Sequence, residues 1–353
     1  PSTNNYQLST KMILVTGGTG LVGSHLLYEL VQKGEKIRAT KRANSSTSFV
    51  KWVFGLYSSN AESLFNLIDW VDADLLDYSS LLNATAGIET VYHAGAIVSF
   101  NPSQAKSIGS TNVEGTANLV DACLENGVKN FCHVSSVASL GEAKIDGITD
   151  ESCKWAKSKG QSAYAKSKFL GENEVWRGSE QGLRVVIVNP SVILGPGRWD
   201  SGSGQLFRQV KKMMPFYTEG ATGYVDVRDV AKIMVLLMDN PEINGERFIL
   251  NSENISFREL FTLMSKSLGK KPPRFNIKPW LVDVAYPFVF VFGIISGKGN
   301  AVSKANMKSA FSKTYYSSEK IKRTLGFNFT PISKTVEFVA GIYLKDIEPR
   351  LSK

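Results

Sequence analysis

Met12-Ile13-Leu14-Val15-Thr16-Gly17-Gly18-Thr19-Gly20-Leu21-Val22-Gly23 is the stretch whose reading decides the fold. An apolar, β-branched run passes directly into a G-x-x-G-x-x-G at Gly17, Gly20 and Gly23. A helix-period segment, Leu21–Lys33, follows and stops at Gly34. Glycines between a strand and a helix permit a tight turn, close approach of a pyrophosphate to the backbone, and tight helix-on-strand packing. The helix N-terminus adds free N–H groups and a positive dipole end. The spacing differs by one residue from the standard dinucleotide fingerprint, and a purely structural turn is the competing reading. The strand before and helix after favour a nucleotide site that includes Thr19, Leu21 and Val22.

Outward from that turn, apolar runs alternate with amphipathic segments. Strands are expected at Met12–Thr16, Lys36–Thr40, Trp70–Ala73, Thr90–Ala94, Asn130–Ser135, Arg184–Asn189 and Arg247–Leu250, with a further helix over Asn112–Glu125. Strands that are apolar almost throughout are covered on both faces, and strand–helix–strand alternation implies right-handed crossovers. The expected fold is therefore α/β, a doubly wound parallel sheet with a smaller, mostly helical C-terminal lobe. The rhythm breaks after Pro190. This divides the chain into a dinucleotide-binding domain of residues 11–190 and 224–251 and a substrate lobe of residues 191–223 and 252–353.

The 353 residues, 43% hydrophobic and 21% charged, exclude a disordered or collagen-like chain. Three cysteines without a C-x-x-C argue against a disulfide framework or zinc knuckle and fit a reducing, cytoplasmic compartment. Three scattered histidines give no metal site, and none is expected. Residues 1–10 are polar, carry no charge, and read as a tail, not a signal peptide. The net charge of +9 is concentrated: Asn251–Lys353 holds 17 Lys+Arg against 7 Asp+Glu, the rest 24 against 25. No base-reading motif accompanies this charge, so no nucleic-acid partner is expected.

The second strand bears on which nucleotide is bound. An Asp or Glu at its end holds a free ribose 2′-hydroxyl. Here Ile37-Arg38-Ala39-Thr40-Lys41-Arg42-Ala43-Asn44-Ser45-Ser46 has no acid. Lys41 and Arg42 are placed to neutralise a 2′-phosphate, which favours NADP(H) over NAD(H); solvated surface cations are the alternative.

Tyr164-Ala165-Lys166-Ser167-Lys168 is a Y-x-x-x-K, as is Tyr316-Ser317-Ser318-Glu319-Lys320. The first lies in a helical stretch that places both side chains on one face, after a strand ending His133-Val134-Ser135-Ser136. The second is read as an exposed helix start.

Together with Asp74-Leu75, His93-Ala94-Gly95-Ala96, Asn112-Val113-Glu114-Gly115-Thr116 and Gly195-Pro196-Gly197, these motifs come in a recognisable order. From Lys11 to about Glu337 the chain resembles the extended short-chain dehydrogenase/reductase family. Its second strand looks most like the dihydroflavonol-reductase and 3β-hydroxysteroid-dehydrogenase-like branch. The resemblance implies hydride transfer between a nicotinamide and a carbonyl carbon of a small-molecule substrate, with Tyr164 exchanging a proton with the oxygen. Lys168 would favour the phenolate and hold the nicotinamide ribose. Ser136, five residues before Gly141, would hydrogen-bond the substrate oxygen, with Ser135 as the alternative. Asn112 holds a backbone kink or a proton relay, or simply packs its helix. Asp74 and Leu75 are implied near the adenine, and Ala94, Gly95 and Ala96 beneath the pyrophosphate. Pro190, Ser191 and Val192 are implied at the nicotinamide face. A homodimer is also implied. His93 reads as a buried strand histidine, His25 as locally satisfied, and Cys123 and Cys132 as small core residues.

Sugar-nucleotide epimerases and dehydratases are the rival reading. Val137-Ala138 follow Ser136 where a dehydratase carries Asp-Glu. Asn189 and Val192 occupy the Arg and Asn positions of the epimerase R-x-x-N-x-x-G-P. A non-catalytic NADP sensor would have lost Tyr164. The apolar stretch Pro279–Ile295 is interrupted by Asp283 and Pro287 and is too short to span a membrane. Its readings are helices packed on the substrate cleft, an apolar substrate entrance, or weak contact with an anionic membrane surface.

Overall fold

The apolar runs pair side by side, all parallel, in a seven-stranded sheet. Its strands are β1 (Met12–Thr16), β2 (Lys36–Lys41), β3 (Ile68–Asp72), β4 (Thr90–His93), β5 (Asn130–Val134), β6 (Arg184–Pro190) and β7 (Glu246–Leu250). Their order across the sheet is β7-β6-β5-β4-β1-β2-β3. The computed structural model describes residues 12–141, 143–156, 161–213, 215–281 and 310–351, the side chains of 348–351 excepted. The order turns back between β1 and β4, which opens a crevice at the carboxyl ends of those strands, where doubly wound sheets bind ligands.

Side-chain alternation feeds two cores. On one face Cys132 and Val134 of β5 meet Leu26 and Leu30 of the helix Leu21–Gln32 and Met234 of the helix Val227–Asp239. On the other, Phe131 meets Leu119 and Cys123 of the helix Gly115–Glu125 and Val175 of the helix Ala163–Glu180. Each such side chain, fully buried, contributes about 1.5–3 kcal/mol. The three cysteines are free and buried.

The third strand begins two residues earlier than its apolar run predicts, because Asp69 lies inside it. This is an edge strand, and the register sets Asp69 beside Arg38 and Asp72 beside Lys41. Arg38 Nε donates to Asp69 at 2.9 Å, so the carboxylate is tolerated at the rim. The helix expected over Asn112–Glu125 is likewise not uniform: Ser110–Glu114 is a π turn between the helices Ala105–Gly109 and Gly115–Glu125.

A smaller three-stranded sheet is formed by Val192–Leu194, Ala221–Asp226 and Glu253–Ser256. With the helices Gly204–Lys211, Phe257–Ser267 and Ile332–Leu351 it encloses a third core around Phe207, Tyr224, Leu260 and Val339. Asp226 joins this unit to the main sheet. Its carboxylate caps Arg228 N at 2.8 Å, pairs with the Arg228 guanidinium at 2.6 Å, and accepts from Thr335 Oγ1 at 2.8 Å. No described helix is long and apolar enough to cross a membrane. Most of the stretch Pro279–Ile295 lies outside the described residues.

Candidate active site

The glycine loop meets the end of β4 backbone to backbone. Gly17 has φ +72°, and a Cβ there would lie 2.5 Å from the Gly95 nitrogen and 2.6 Å from the Ala94 carbonyl carbon. A Cβ on Gly23 would lie 2.2 Å from the Gly17 oxygen. Gly23 therefore serves close packing of helix on loop. The helix Leu21–Gln32 starts at Gly20 without a side-chain cap and without an acid in its first turn. Its leading N–H groups are thus available to an anion.

A cavity of about 1160 Å³ opens at this point. Thr16, Gly17, Thr19, Gly20, Leu21, Asp74, Leu75, Ala94, Gly95 and Ala96 line it, as do Lys41 and Arg42. Glycine backbone, a helix start, cations and a long groove fit a dinucleotide. Val22 and Gly23 support the wall from behind and do not line it; Pro190, Ser191 and Val192 are also not among the lining residues.

The two cations after β2 differ. The Lys41 ammonium is bound to the Asp72 carboxylate, so its charge is offset. Arg42 is exposed, and no acid among the described residues pairs with it. Asn44, Ser45, Ser46 and Phe49 line the same end of the cavity; the expectation had stopped at Arg42. Their signal was present in the small polar run Asn44-Ser45-Ser46, which a turn explains equally well.

The three residues expected to act on substrate come from two elements. Ser136 caps the short 3-10 turn Val137–Ser139. Tyr164 and Lys168 lie in the helix Ala163–Glu180, whose start is capped by Ser162 Oγ on Ala165 N at 3.0 Å. Burial raises the Tyr164 phenol above its ordinary value, and a hydrogen bond with the Ser136 side chain opposes that rise. Lys168 is 5% exposed and donates to the Val134 carbonyl at 2.9 Å. Burial draws its pKa down to about 8, opposed by the charge of Glu172. None of the three lines the large cavity. Ile97 and Ser110 line the cavity, and three residues after Ile97, Phe100 packs edge-on against Tyr164 with ring centroids 5.5 Å apart.

Ser135 points elsewhere. Its hydroxyl donates to Glu172 Oε2 at 2.8 Å, as does that of Ser139 at 2.7 Å. Asn189 Nδ2 adds a third bond at 3.0 Å, and Arg247 reaches Oε1 at 3.1 Å. The carboxylate of Glu172, 2% exposed, thus fixes the turn that carries Ser136. Sequence reasoning missed Glu172, although an acid four residues after Lys168 shares its helix face.

Asn112 sits in the π turn with its amide clasped to Ile97 and its Nδ2 also donating to Ser167 Oγ at 3.0 Å. Its carbonyl accepts from Thr116 Oγ1 at 2.8 Å and lies 2.5 Å from where a Cβ on Gly171 would be. The kink and the packing are both present; π turns of this kind recur at functional sites.

His93 is buried between Thr16 Oγ1 at 2.7 Å and Thr116 Oγ1 at 3.1 Å. Burial and the Lys168 charge depress its pKa to about 3. His133, 5.1 Å away between ring centroids, has no hydrogen-bond partner on either nitrogen among the described residues. His25 Nδ1 bonds the Leu21 carbonyl at 2.8 Å. Tyr316 is not an exposed helix start. It is a half-buried residue of the short strand Tyr315–Tyr316, and Lys320 is turned to Glu246 and the Arg247 carbonyl.

The chain is similar to several known proteins. A family model described as NAD dependent epimerase/dehydratase family matches residues 13–251. A Synechocystis protein named "Putative dihydroflavonol 4-reductase" is 31% identical, over 94% of each chain. Cinnamoyl-CoA reductase 1 of Petunia hybrida is 25% identical, over 93% of this chain and 90% of its own. The crystal structure of gox2253 superposes with a TM-score of 0.78 at 31% identity, covering 96% of this chain and 99% of that one.

Proposed function

The chain belongs to the NAD-dependent epimerase/dehydratase family and is an NAD(P)-dependent oxidoreductase; from that premise we propose that it is an NADP(H)-dependent reductase of a carbonyl, or dehydrogenase of the matching secondary alcohol. The substrate class we assign is an apolar or ring-containing small molecule, as the names of the reductase relatives suggest. The observation that carries the reading is Tyr164, buried beside Ser136 and one helical turn from a buried Lys168.

The nucleotide, when bound, supplies or accepts the hydride. The loop Gly17–Gly20 and the first N–H groups of the helix Leu21–Gln32 would hold its pyrophosphate. Arg42, with Ser45 and Ser46, would hold a 2′-phosphate, and Leu75 would lie along the adenine. In reduction Tyr164 donates its hydroxyl proton to the carbonyl oxygen, and Ser136 donates a hydrogen bond to the same oxygen as charge develops. The Lys168 ammonium stabilises the phenolate left behind. We assign the three-stranded unit with its helices to substrate binding and the seven-stranded unit to the cofactor.

An epimerase reading has less support. The neighbours solved with UDP-sugars and NAD are 20% identical, which speaks to fold alone. The side chains after Ser136, Val137 and Ala138, bring no acid or base.

The test is NADPH oxidation with a panel of aromatic and alicyclic ketones and aldehydes, in the wild type and in Tyr164→Phe. Turnover that the phenol-to-phenyl change reduces by about three orders of magnitude supports the reading. Tightly retained NAD and interconversion of UDP-sugars without net NADPH use would overturn it. Arg42→Asp separates the cofactors: it should weaken NADPH far more than NADH.

A further inference from the structure

The outer wall of the nucleotide cavity is built by a segment that no nucleotide motif contains. Gly197, Arg198 and Ser201–Gly204 line the same cavity as Gly17–Leu21 and Arg42–Ser46. We propose that Arg198 is a ligand for a phosphate of the bound cofactor, in the cavity that Arg42 also lines. The inference rests on the reading of this cavity as the dinucleotide site.

Two glycines bring this segment against the nucleotide helix. A Cβ on Gly195 would lie 3.6 Å from Leu21 Cδ1 and 2.3 Å from Val227 Cγ1 of the helix Val227–Asp239, and one on Gly197 would lie 3.2 Å from Leu21 Cδ1. The next residue is Arg198, so its side chain starts one position beyond contact with the helix that presents free N–H groups. The adjoining Trp199 is anchored, its indole N–H donating to Asp346 at 2.8 Å.

The guanidinium lies over one aromatic ring, and no carboxylate among the described residues neutralises it. It lies 5.9 Å from the centroid of Phe49, itself a lining residue. Phe49 stacks on Trp52 at 5.6 Å, and Trp52 meets Trp199 edge-on at 6.3 Å. Stacking orients an arginine while leaving its donors free, which suits a planar fork for phosphate.

Charge around the cavity points the same way. Among the described residues its lining cations are Lys41, Arg42, Lys106 and Arg198, and its one lining acid is Asp74. Lys41 is already bound by Asp72, and Asp74 Oδ1 accepts from Leu76 N at 2.9 Å. The remaining excess of positive charge matches a ligand with several phosphate charges, so the phosphate is either the pyrophosphate or the 2′-phosphate.

Isothermal titration of NADPH and of NADH into wild type, Arg198→Ala, Arg198→Gln and Arg42→Ala tests this. Both Arg198 variants should bind NADPH at least about tenfold more weakly, with a shallower salt dependence. A loss confined to NADPH assigns the 2′-phosphate, and an equal loss for NADPH and NADH assigns the pyrophosphate. Unchanged affinity for both nucleotides in both variants overturns the proposal, even if Arg42→Ala loses NADPH and so sustains the NADP(H) reading. Conversely, if Arg42→Ala is silent and wild type binds both nucleotides alike, the NADP(H) reading fails while a loss at Arg198 still supports the inference.

Discussion

Asn112 grips Ile97 through both atoms of its carboxamide: Oδ1 accepts from the Ile97 N–H at 2.7 Å, and Nδ2 donates to the Ile97 carbonyl at 2.9 Å. The pair ties the π turn to the loop that leaves β4, and the further bond to Ser167 extends the tie to the helix of Tyr164 and Lys168. The cavity wall at Ile97 and the helix of Tyr164 and Lys168 are therefore registered against each other by one amide. Asn112→Asp keeps the shape and sets a carboxylate oxygen against the Ile97 carbonyl. It should lower kcat by about two orders of magnitude through misplacement. Steady-state kinetics beside a thermal melt checks this; a variant that melts normally and turns over at the wild-type rate would count against the registering role.

Gly17→Ala forces a Cβ into the Gly95 and Ala94 backbone at a positive φ. A destabilisation of about 2–4 kcal/mol is expected, since neither partner is a flexible side chain. Urea unfolding measures it, and nucleotide affinity should collapse with it. Gly55→Ala, at a site with nothing within 4 Å, is the matched control and should unfold like the wild type or slightly later.

In the proposed reduction Lys168 acts as a cation, and burial brings that group to about 8. The rate of carbonyl reduction should therefore fall as pH rises through about 8. Glu172→Gln removes the charge that opposes this depression. It should move the alkaline break down by about one pH unit, a differential of about 1.4 kcal/mol. A pH–rate profile with an unmoved break would show that Glu172 acts only in packing.

All three histidines are buried and held neutral. Burial takes His25 to about 4 and His93 to about 3, and lowers His133 well below its ordinary value. The unfolded chain binds protons from about pH 6.5 downward that the folded chain refuses, so stability is present above that value and lost as pH falls below it. Each histidine contributes a slope of up to about 1.4 kcal/mol per pH unit. Urea midpoints at pH 7, 6 and 5 should fall accordingly. His133→Leu, which breaks no described hydrogen bond, should flatten the dependence by one histidine's share.

The parts legible in the sequence are those where the backbone makes the demand. Gly17 and Gly23 announce a turn that no other residue fits, and apolar runs announce strands covered on both sides. Asp69 hid the start of β3 because an edge strand admits a charge that a cross-strand arginine can meet. The π turn was illegible: its cause is the grip of Asn112 on Ile97, fifteen residues away. Glu172 and Arg198 were missed for a related reason. Each works with groups that sequence separates and the sheet brings together, Arg247 in one case and Phe49 in the other.

The crossing of Gly17 over Gly95 has an evolutionary consequence. What every dinucleotide shares is met there by main chain, which mutation cannot edit without wrecking the turn. In the NADP(H) reading proposed above, what distinguishes one dinucleotide from another would be met by the tips of Arg42, Ser45 and Ser46, which single base changes can replace. Cofactor preference in this lineage can thus drift or reverse while the seat itself is inherited unchanged.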